Sequence, residues 1–214
     1  MQDSFRHKGL RKKLIDSIRE KGIEDEAVLE ALNRVPRHLF MDSSFINFSY
    51  TDKAFPISAG QTISQPYTVA YQTELLQVKH HQKVLEVGTG SGYQAAVLLE
   101  LGARVFTIER QRELFLSAQE TLSPLGYKPK FFFGDGYDGL PSFAPFDRIL
   151  VTAGAPEVPE KLKAQLAIGG LMVIPVGDRL GQRMVRVIRE NEEKFIQSEH
   201  GYFSFVPLLK GKSG

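Results

Sequence analysis

Along this chain the spacing of apolar residues changes near residue 67. Before it the period is helical. Leu10, Leu14, Ile15 and Ile18 form one stripe, which predicts a helix from about Ser4 to Glu20 that stops near Gly22. Asp25 is placed to cap a second helix running to Val35, with Val28, Leu29, Leu32 and Val35 on one face; Pro36 disfavours continuation. The stretch Phe40 to Pro66 is irregular and rich in aromatic, Ser and Thr residues, and so long a loop in a compact domain usually carries function. After it, helical and strand patterns alternate. Helices are expected at Tyr67 to Val78, Gly92 to Leu101, Arg112 to Ser123 and Pro159 to Leu166. Strands are expected at Lys83 to Val87, Arg104 to Ile108, Lys130 to Phe133, Phe146 to Val151 and Gly170 to Val176. Gln182 to Arg189 and Lys194 to Pro207 alternate as antiparallel strands do. The order implies an α/β fold, a doubly wound and mostly parallel sheet with helices on both faces. Residues 1–66 read as a helical lead-in and substrate-side loop, and 67–214 as one compact sheet domain.

The richest stretch is V-L-E-V-G-T-G-S-G, Val84 to Gly92. Val84, Leu85 and Val87 fit a buried parallel strand. Gly88, Gly90 and Gly92 allow a tight turn and close approach of a ligand to the backbone. The next helix aims its free N–H groups at that loop. Such a site lies at the carboxyl end of a parallel strand, where small cofactors bind in these sheets. The spacing is G-x-G-x-G, not the G-x-G-x-x-G of dinucleotide sites. Glu86 just before it would repel a pyrophosphate and suit a cation, such as the ammonium of S-adenosylmethionine. Glu109 ends the next strand, 21 residues after Gly88, where an acid can accept ribose hydroxyls. Asp135, between Gly134 and Gly136, follows a third strand and could reach an adenine amino group. The bland alternative is a tight turn with solvated carboxylates. Thr152 to Pro156 converges on the same edge.

Composition narrows the class. The 214 residues are 42% hydrophobic and 24% charged with a net charge of +2, which suits one globular α/β domain and gives no global argument for nucleic acid. Arg6, Lys8, Arg11, Lys12, Lys13, Arg19 and Lys21 make a local basic cluster, read as the solvated face of the first helix in preference to an RNA- or membrane-binding arm. There is no cysteine, which excludes disulfides, thiolate catalysis and cysteine metal sites. No signal-peptide pattern or apolar run of membrane-spanning length is present, so the expectation is cytoplasmic, with no membrane partner. The five histidines show no metal-ligand spacing, no metal is expected, and His80-His81 reads as a solvated helix end.

E-V-G-T-G-S-G-Y-Q-A-A at 86–96, with I-S-A-G-Q-T-I-S-Q-P-Y upstream of it, resembles the protein-L-isoaspartate (D-aspartate) O-methyltransferase family, and the likeness covers nearly the whole chain. E-V-G-T-G-S-G-Y-Q-A-A is shared by many methyltransferases, whereas I-S-A-G-Q-T-I-S-Q-P-Y at 57–67 is far more particular. V-P-R-H-L-F at 35–40, Y-T-D at 50–52, I-E-R at 108–110, G-D-G at 134–136, F-D-R-I-L-V-T-A-G-A at 146–155 and F-V-P-L at 205–208 extend the match. The resemblance implies a Rossmann-like S-adenosylmethionine-dependent methyltransferase. Its substrates would be isoaspartyl and, as the family's name adds, D-aspartyl residues of damaged proteins and peptides, with S-adenosyl-L-homocysteine as product. The methyl would go to the isoaspartyl α-carboxylate, and the ester would then collapse to a succinimide without the enzyme. No stable nucleic-acid partner is implied.

By the same resemblance Ser64 is the active-site serine, and Thr62 and Ile63 line the cofactor with Glu86, Gly88, Thr89, Gly90, Ser91, Gly92, Glu109, Asp135 and Gly136. A carboxylate is already ionised and nucleophilic at neutral pH, so no general base is needed. Ser64 has a second reading: before the helix that starts near Tyr67 it could be an N-cap beside an early proline. Asp52 matches a family acid without a legible role and could be a turn residue, and nothing in the sequence indicates whether Arg110 meets ligand or solvent. The short tail after Leu208 gives no sign of a role. Two other functions compete. An S-adenosylmethionine-dependent RNA methyltransferase would use the basic first helix, but the chain lacks an Asn/Asp-Pro-Pro-aromatic segment after the fourth strand and an exposed aromatic series among basic residues. A cofactor-binding module without chemistry would not need Ser64.

Overall fold

The computed structural model describes residues 3–178 and 180–214. Helix α1 is Phe5–Glu20, capped by the Ser4 hydroxyl, which accepts from the His7 N–H, and α2 is Glu26–Arg34, capped by the Asp25 carboxylate. Two 3₁₀ turns, Arg37–Phe40 and Ser43–Phe48, organise the aromatic stretch. A small hairpin follows, β1 (Phe55–Pro56) against β2 (Thr62–Ile63). The main unit is α3 (Pro66–Leu76), β3 (Lys83–Val87), α4 (Tyr93–Glu100), β4 (Arg104–Glu109), α5 (Arg112–Leu122), β5 (Lys130–Phe133), β6 (Phe146–Val151), α6 (Glu160–Lys163), β7 (Leu166–Asp178), β8 (Gly181–Arg189) and β9 (Phe195–Phe203).

The seven-stranded sheet has the order β5-β4-β3-β6-β7-β8-β9. Pairing is parallel from β5 to β7 and antiparallel across β8 and β9. Strand periodicity splits the core. Val84, Leu150, Leu171 and Val173 join one cluster, and their neighbours Leu85, Ile149, Met172 and Ile174 join the other. The first cluster also holds Leu14, Ile18, Leu29 and Leu32, so the lead-in helices share a core with the sheet.

The structure moves several boundaries. Helix α3 ends at a left-handed Gln77, which leaves His80 and His81 in an exposed turn beyond the helix, with ring centroids 3.9 Å apart. Strand β9 stops at Phe203. The chain then turns back across the carboxyl ends of the parallel strands: Gly154 N–H donates to the Val206 carbonyl and Leu208 N–H to the Gly154 carbonyl. Among the described residues no helix is long and apolar enough to cross a membrane.

Candidate active site

Strand β3 is central, so its loop emerges between β4 and β6 at the sheet's topological switch point. Gly88, Gly90 and Gly92 all have positive φ, of 95°, 53° and 84°. Their constraints differ. A Cβ on Gly88 would meet Thr152 Oγ1 at 2.4 Å, and one on Gly92 would meet Leu122 Cδ1 at 2.7 Å. A Cβ on Gly90 would touch only Ile57 Cδ1, at 3.8 Å. Gly88 and Gly92 are thus set by protein packing, whereas Gly90 faces open space. Ser91 supports the turn, its hydroxyl accepting from the Tyr93 N–H at 3.3 Å.

Glu109, at the end of β4, fixes the loop from the side. Its carboxylate accepts the Gly90 N–H at 3.0 Å and the Gln111 N–H at 2.9 Å. Beside it lies an open cleft lined among others by Thr62, Gly88, Gly90, Glu109, Gly136 and Leu208. A narrower recess continues past Ile63, Ser64, Thr89 and Ser91, and a broad groove opens beyond it along Ser64, Gln65, Tyr67, Tyr202 and Phe205. Thr62 and Thr152 line all three spaces, and Ser64 lines the recess and the groove.

Two expected acids sit elsewhere. Glu86 is fully buried and does not line the cleft. Strand alternation turns it under the glycine loop, where the Thr107 hydroxyl donates to its Oε2 at 2.6 Å and stands 2.6 Å from the Thr89 hydroxyl. This places it as a buried prop of the loop, not as an open counter-ion. Burial pushes its carboxyl up to about 8; the Thr107 hydrogen bond opposes this and the Glu109 charge adds to it. In the unfolded chain the same group titrates in the ordinary glutamate range, so the folded chain holds a proton that the unfolded chain releases. This contribution to stability is fully present below that range and is lost as pH rises to about 8. Without cofactor, the unfolding free energy of the wild type relative to Glu86→Gln should therefore fall between about pH 5 and pH 8 in urea titrations. A difference that stays flat with pH would contradict this.

Asp135 is the second. Its oxygens accept the Tyr137 N–H at 2.8 Å and the Gly211 N–H at 2.6 Å, and Gly136, not Asp135, lines the cleft. The Gly211 contact comes from the C-terminal tail. Arg110 donates from Nε to the Gly211 carbonyl at 3.0 Å, and Ser213 N–H donates to the Arg110 carbonyl, so Arg110 straps this tail beside the cleft that Leu208 and Leu209 line.

Ser64 is not a helix cap. Helix α3 begins at Pro66 with Gln65 as its N-cap residue and no side-chain capping bond from it. Asp52 does that work from a distance in sequence: its carboxylate accepts the Tyr67 N–H at 2.8 Å, Gln65 Nε2 at 3.0 Å and Lys21 Nζ at 2.6 Å. Burial alone would raise its pKa, but Lys21, the Tyr67 N–H and Gln65 together hold it below the usual carboxylate range. The Ser64 carbonyl accepts from Arg37, a residue whose part in the site was not legible in the sequence. Sequence spacing also missed that Asp3, His7 and His38 come within 4.8 Å of one another. Both Asp3 oxygens are engaged by the Arg11 guanidinium, at 3.1 and 2.9 Å, which makes this group an ion-paired strut for α1.

Comparison with known proteins agrees with this geometry. The family model described as protein-L-isoaspartate (D-aspartate) O-methyltransferase matches residues 9–213. A protein-L-isoaspartate O-methyltransferase of Cytophaga hutchinsonii is 58% identical over 214 residues, covering 100% of this chain and 96% of that protein. One solved protein-L-isoaspartate O-methyltransferase superposes with a TM-score of 0.83 at 29% identity, over 92% of this chain and 65% of that longer chain. A Plasmodium falciparum structure assigned to the same enzymes, in complex with S-adenosyl-L-homocysteine, gives a TM-score of 0.83 at 26% identity, over 94% of this chain and 99% of its own. A match across almost the full length, in sequence and in fold, makes this chain a member of the protein-L-isoaspartate (D-aspartate) O-methyltransferase family.

Proposed function

We propose that this chain transfers the methyl group of S-adenosylmethionine to the α-carboxylate of L-isoaspartyl residues in damaged proteins and peptides, and that Ser64 orients that carboxylate. The observation that carries the reading is the junction at Thr62 and Thr152, where the cleft beside the glycine loop, the recess and the open groove meet with Ser64 on the groove side. The residues fit the cofactor. Gly90 leaves free the space a Cβ would fill, and Glu109 keeps lone pairs beyond its two backbone bonds for a ribose diol. Thr62, Ile63, Gly88, Thr89, Ser91, Gly92 and Gly136 complete the surround, while Glu86 and Asp135 support it from behind. When bound, the cofactor supplies a methyl group already activated on sulfonium. The protein therefore has to align one carboxylate oxygen and exclude water, with no proton to remove. The lead-in, residues 1–66, supplies the substrate side of one compact unit.

Ser64→Ala tests the serine's role. One hydrogen bond to a charged group contributes about 1.5–3 kcal/mol, so kcat/KM for an isoaspartyl peptide should fall roughly 10- to 150-fold. The dissociation constant for S-adenosylhomocysteine, read by calorimetry, should stay within about 3-fold, since the Arg37 bond to the Ser64 carbonyl survives the change. Unchanged turnover would remove Ser64 from the mechanism.

A further inference from the structure

Arg37 is the least expected group near the site. It is fully buried, yet no carboxylate forms an ion pair with it among the described residues. Its guanidinium donates to three carbonyls instead: Ser49 at 2.7 Å, Lys53 at 3.1 Å and Ser64 at 3.1 Å. Its Nε has no acceptor among the described residues. The rings of Phe55 and Tyr93 flank it at 5.8 and 5.9 Å. Burial pushes its pKa down, to about 10, which still leaves it charged at neutral pH. The carboxylate whose charge acts on it, Asp52, forms no ion pair with it and is committed to Lys21 and the start of α3. A buried cation without an anion is costly and calls for a reason. The recess and groove around Ser64 supply one: among the described residues their linings carry no Lys, Arg or His.

We propose that Arg37 is a positioning residue for methyl transfer, its guanidinium fixing the Ser64 peptide while its uncompensated charge, behind a neutral pocket wall, favours entry of the substrate carboxylate. The inference rests on Ser64 facing that carboxylate. The fork explains arginine in place of lysine, because one terminal nitrogen serves Ser49 while the other serves Lys53 and Ser64, a span that a single ammonium nitrogen lacks. At an effective dielectric constant near 20, a unit charge acting over about 8 Å would favour the ionised ligand by roughly 30-fold.

The test uses the full chain with S-adenosylhomocysteine bound and two fluorescent peptides. They share one isoaspartyl sequence, with either a free α-carboxylate or an α-carboxamide. Wild type should bind the carboxylate roughly 30-fold more tightly, and most of that preference should persist in 0.5 M NaCl, which screens exposed charges but barely affects a buried one. Arg37→Met should bring the ratio near one with carboxamide affinity little changed, and Arg37→Lys should keep much of the ratio while lowering kcat. Equal weakening of both peptides by Met, with the ratio intact, would overturn the proposal and leave Arg37 a structural staple. If Arg37→Met does not fold, the wild-type ratio decides: no preference, or one that collapses in salt, overturns it. If wild type binds neither peptide while S-adenosylhomocysteine binds normally, the assignment of the groove itself fails and the proposal falls with it.

Discussion

Gly90→Val should abolish cofactor binding in a protein that still folds. Gly90 sits at φ 53°, a left-handed conformation that costs a non-glycine residue roughly 1–2 kcal/mol, and more when the side chain is β-branched. The surrounding protein would tolerate the added Cβ, whose nearest atom is Ile57 Cδ1 at 3.8 Å. The isopropyl group would instead occupy the cleft and the recess that Gly90 lines. The dissociation constant for S-adenosylhomocysteine should rise by about 100-fold or more, while the loss of stability stays near the conformational cost. Gly88→Ala is the informative contrast, since its methyl would strike Thr152 Oγ1 at 2.4 Å and disturb the scaffold itself. A melting curve and a calorimetric titration on each variant separate the two effects. Binding by Gly90→Val within about 3-fold of wild type would mean that the loop is not the cofactor site.

Glu109→Ala should be the next most damaging change. The carboxylate has two duties. It anchors the Gly90 N–H and the Gln111 N–H, and it faces the cleft with lone pairs to spare. Removing it leaves the Gly90 amide without its partner, loosens the loop and takes away the acceptor for ribose hydroxyls. Hydrogen bonds to charged groups contribute about 1.5–3 kcal/mol each, and the loss should come to about 3 kcal/mol, near 150-fold in affinity. Glu109→Gln keeps one acceptor oxygen and should fall between wild type and Ala. Equal dissociation constants for all three would count against Glu109 as a cofactor ligand.

The parallel strands β3 to β6 were legible because they are short and largely apolar, and three of the glycines mark the tight turn after β3. Lys83–Val87, Lys130–Phe133 and Phe146–Val151 stand where the pattern puts them. What local pattern could not carry was interaction across the fold. Ser64 looks like a cap because a hydroxyl precedes Pro66, but the cap is Asp52, which accepts the Tyr67 N–H from 15 residues upstream of Tyr67. Glu86 reads as an acid at a loop mouth, yet residue parity in the strand turns it inward onto Thr107. Asp135 reads as a cofactor acceptor until the tail brings the Gly211 N–H to it. Arg37 belongs to a motif that carries the family resemblance, but nothing in its neighbours indicates complete burial or three carbonyl partners, which depend on the packing of the lead-in. Family membership, in turn, decides between the protein and RNA readings, which the fold alone would leave open.

The most direct measurement is methyl transfer from labelled S-adenosylmethionine to two peptides of one sequence, with isoaspartate or normal aspartate at a single position. Base-labile label on the isoaspartyl peptide alone is the predicted result. No label on either peptide, with S-adenosylhomocysteine still bound by the protein, would contradict the assignment.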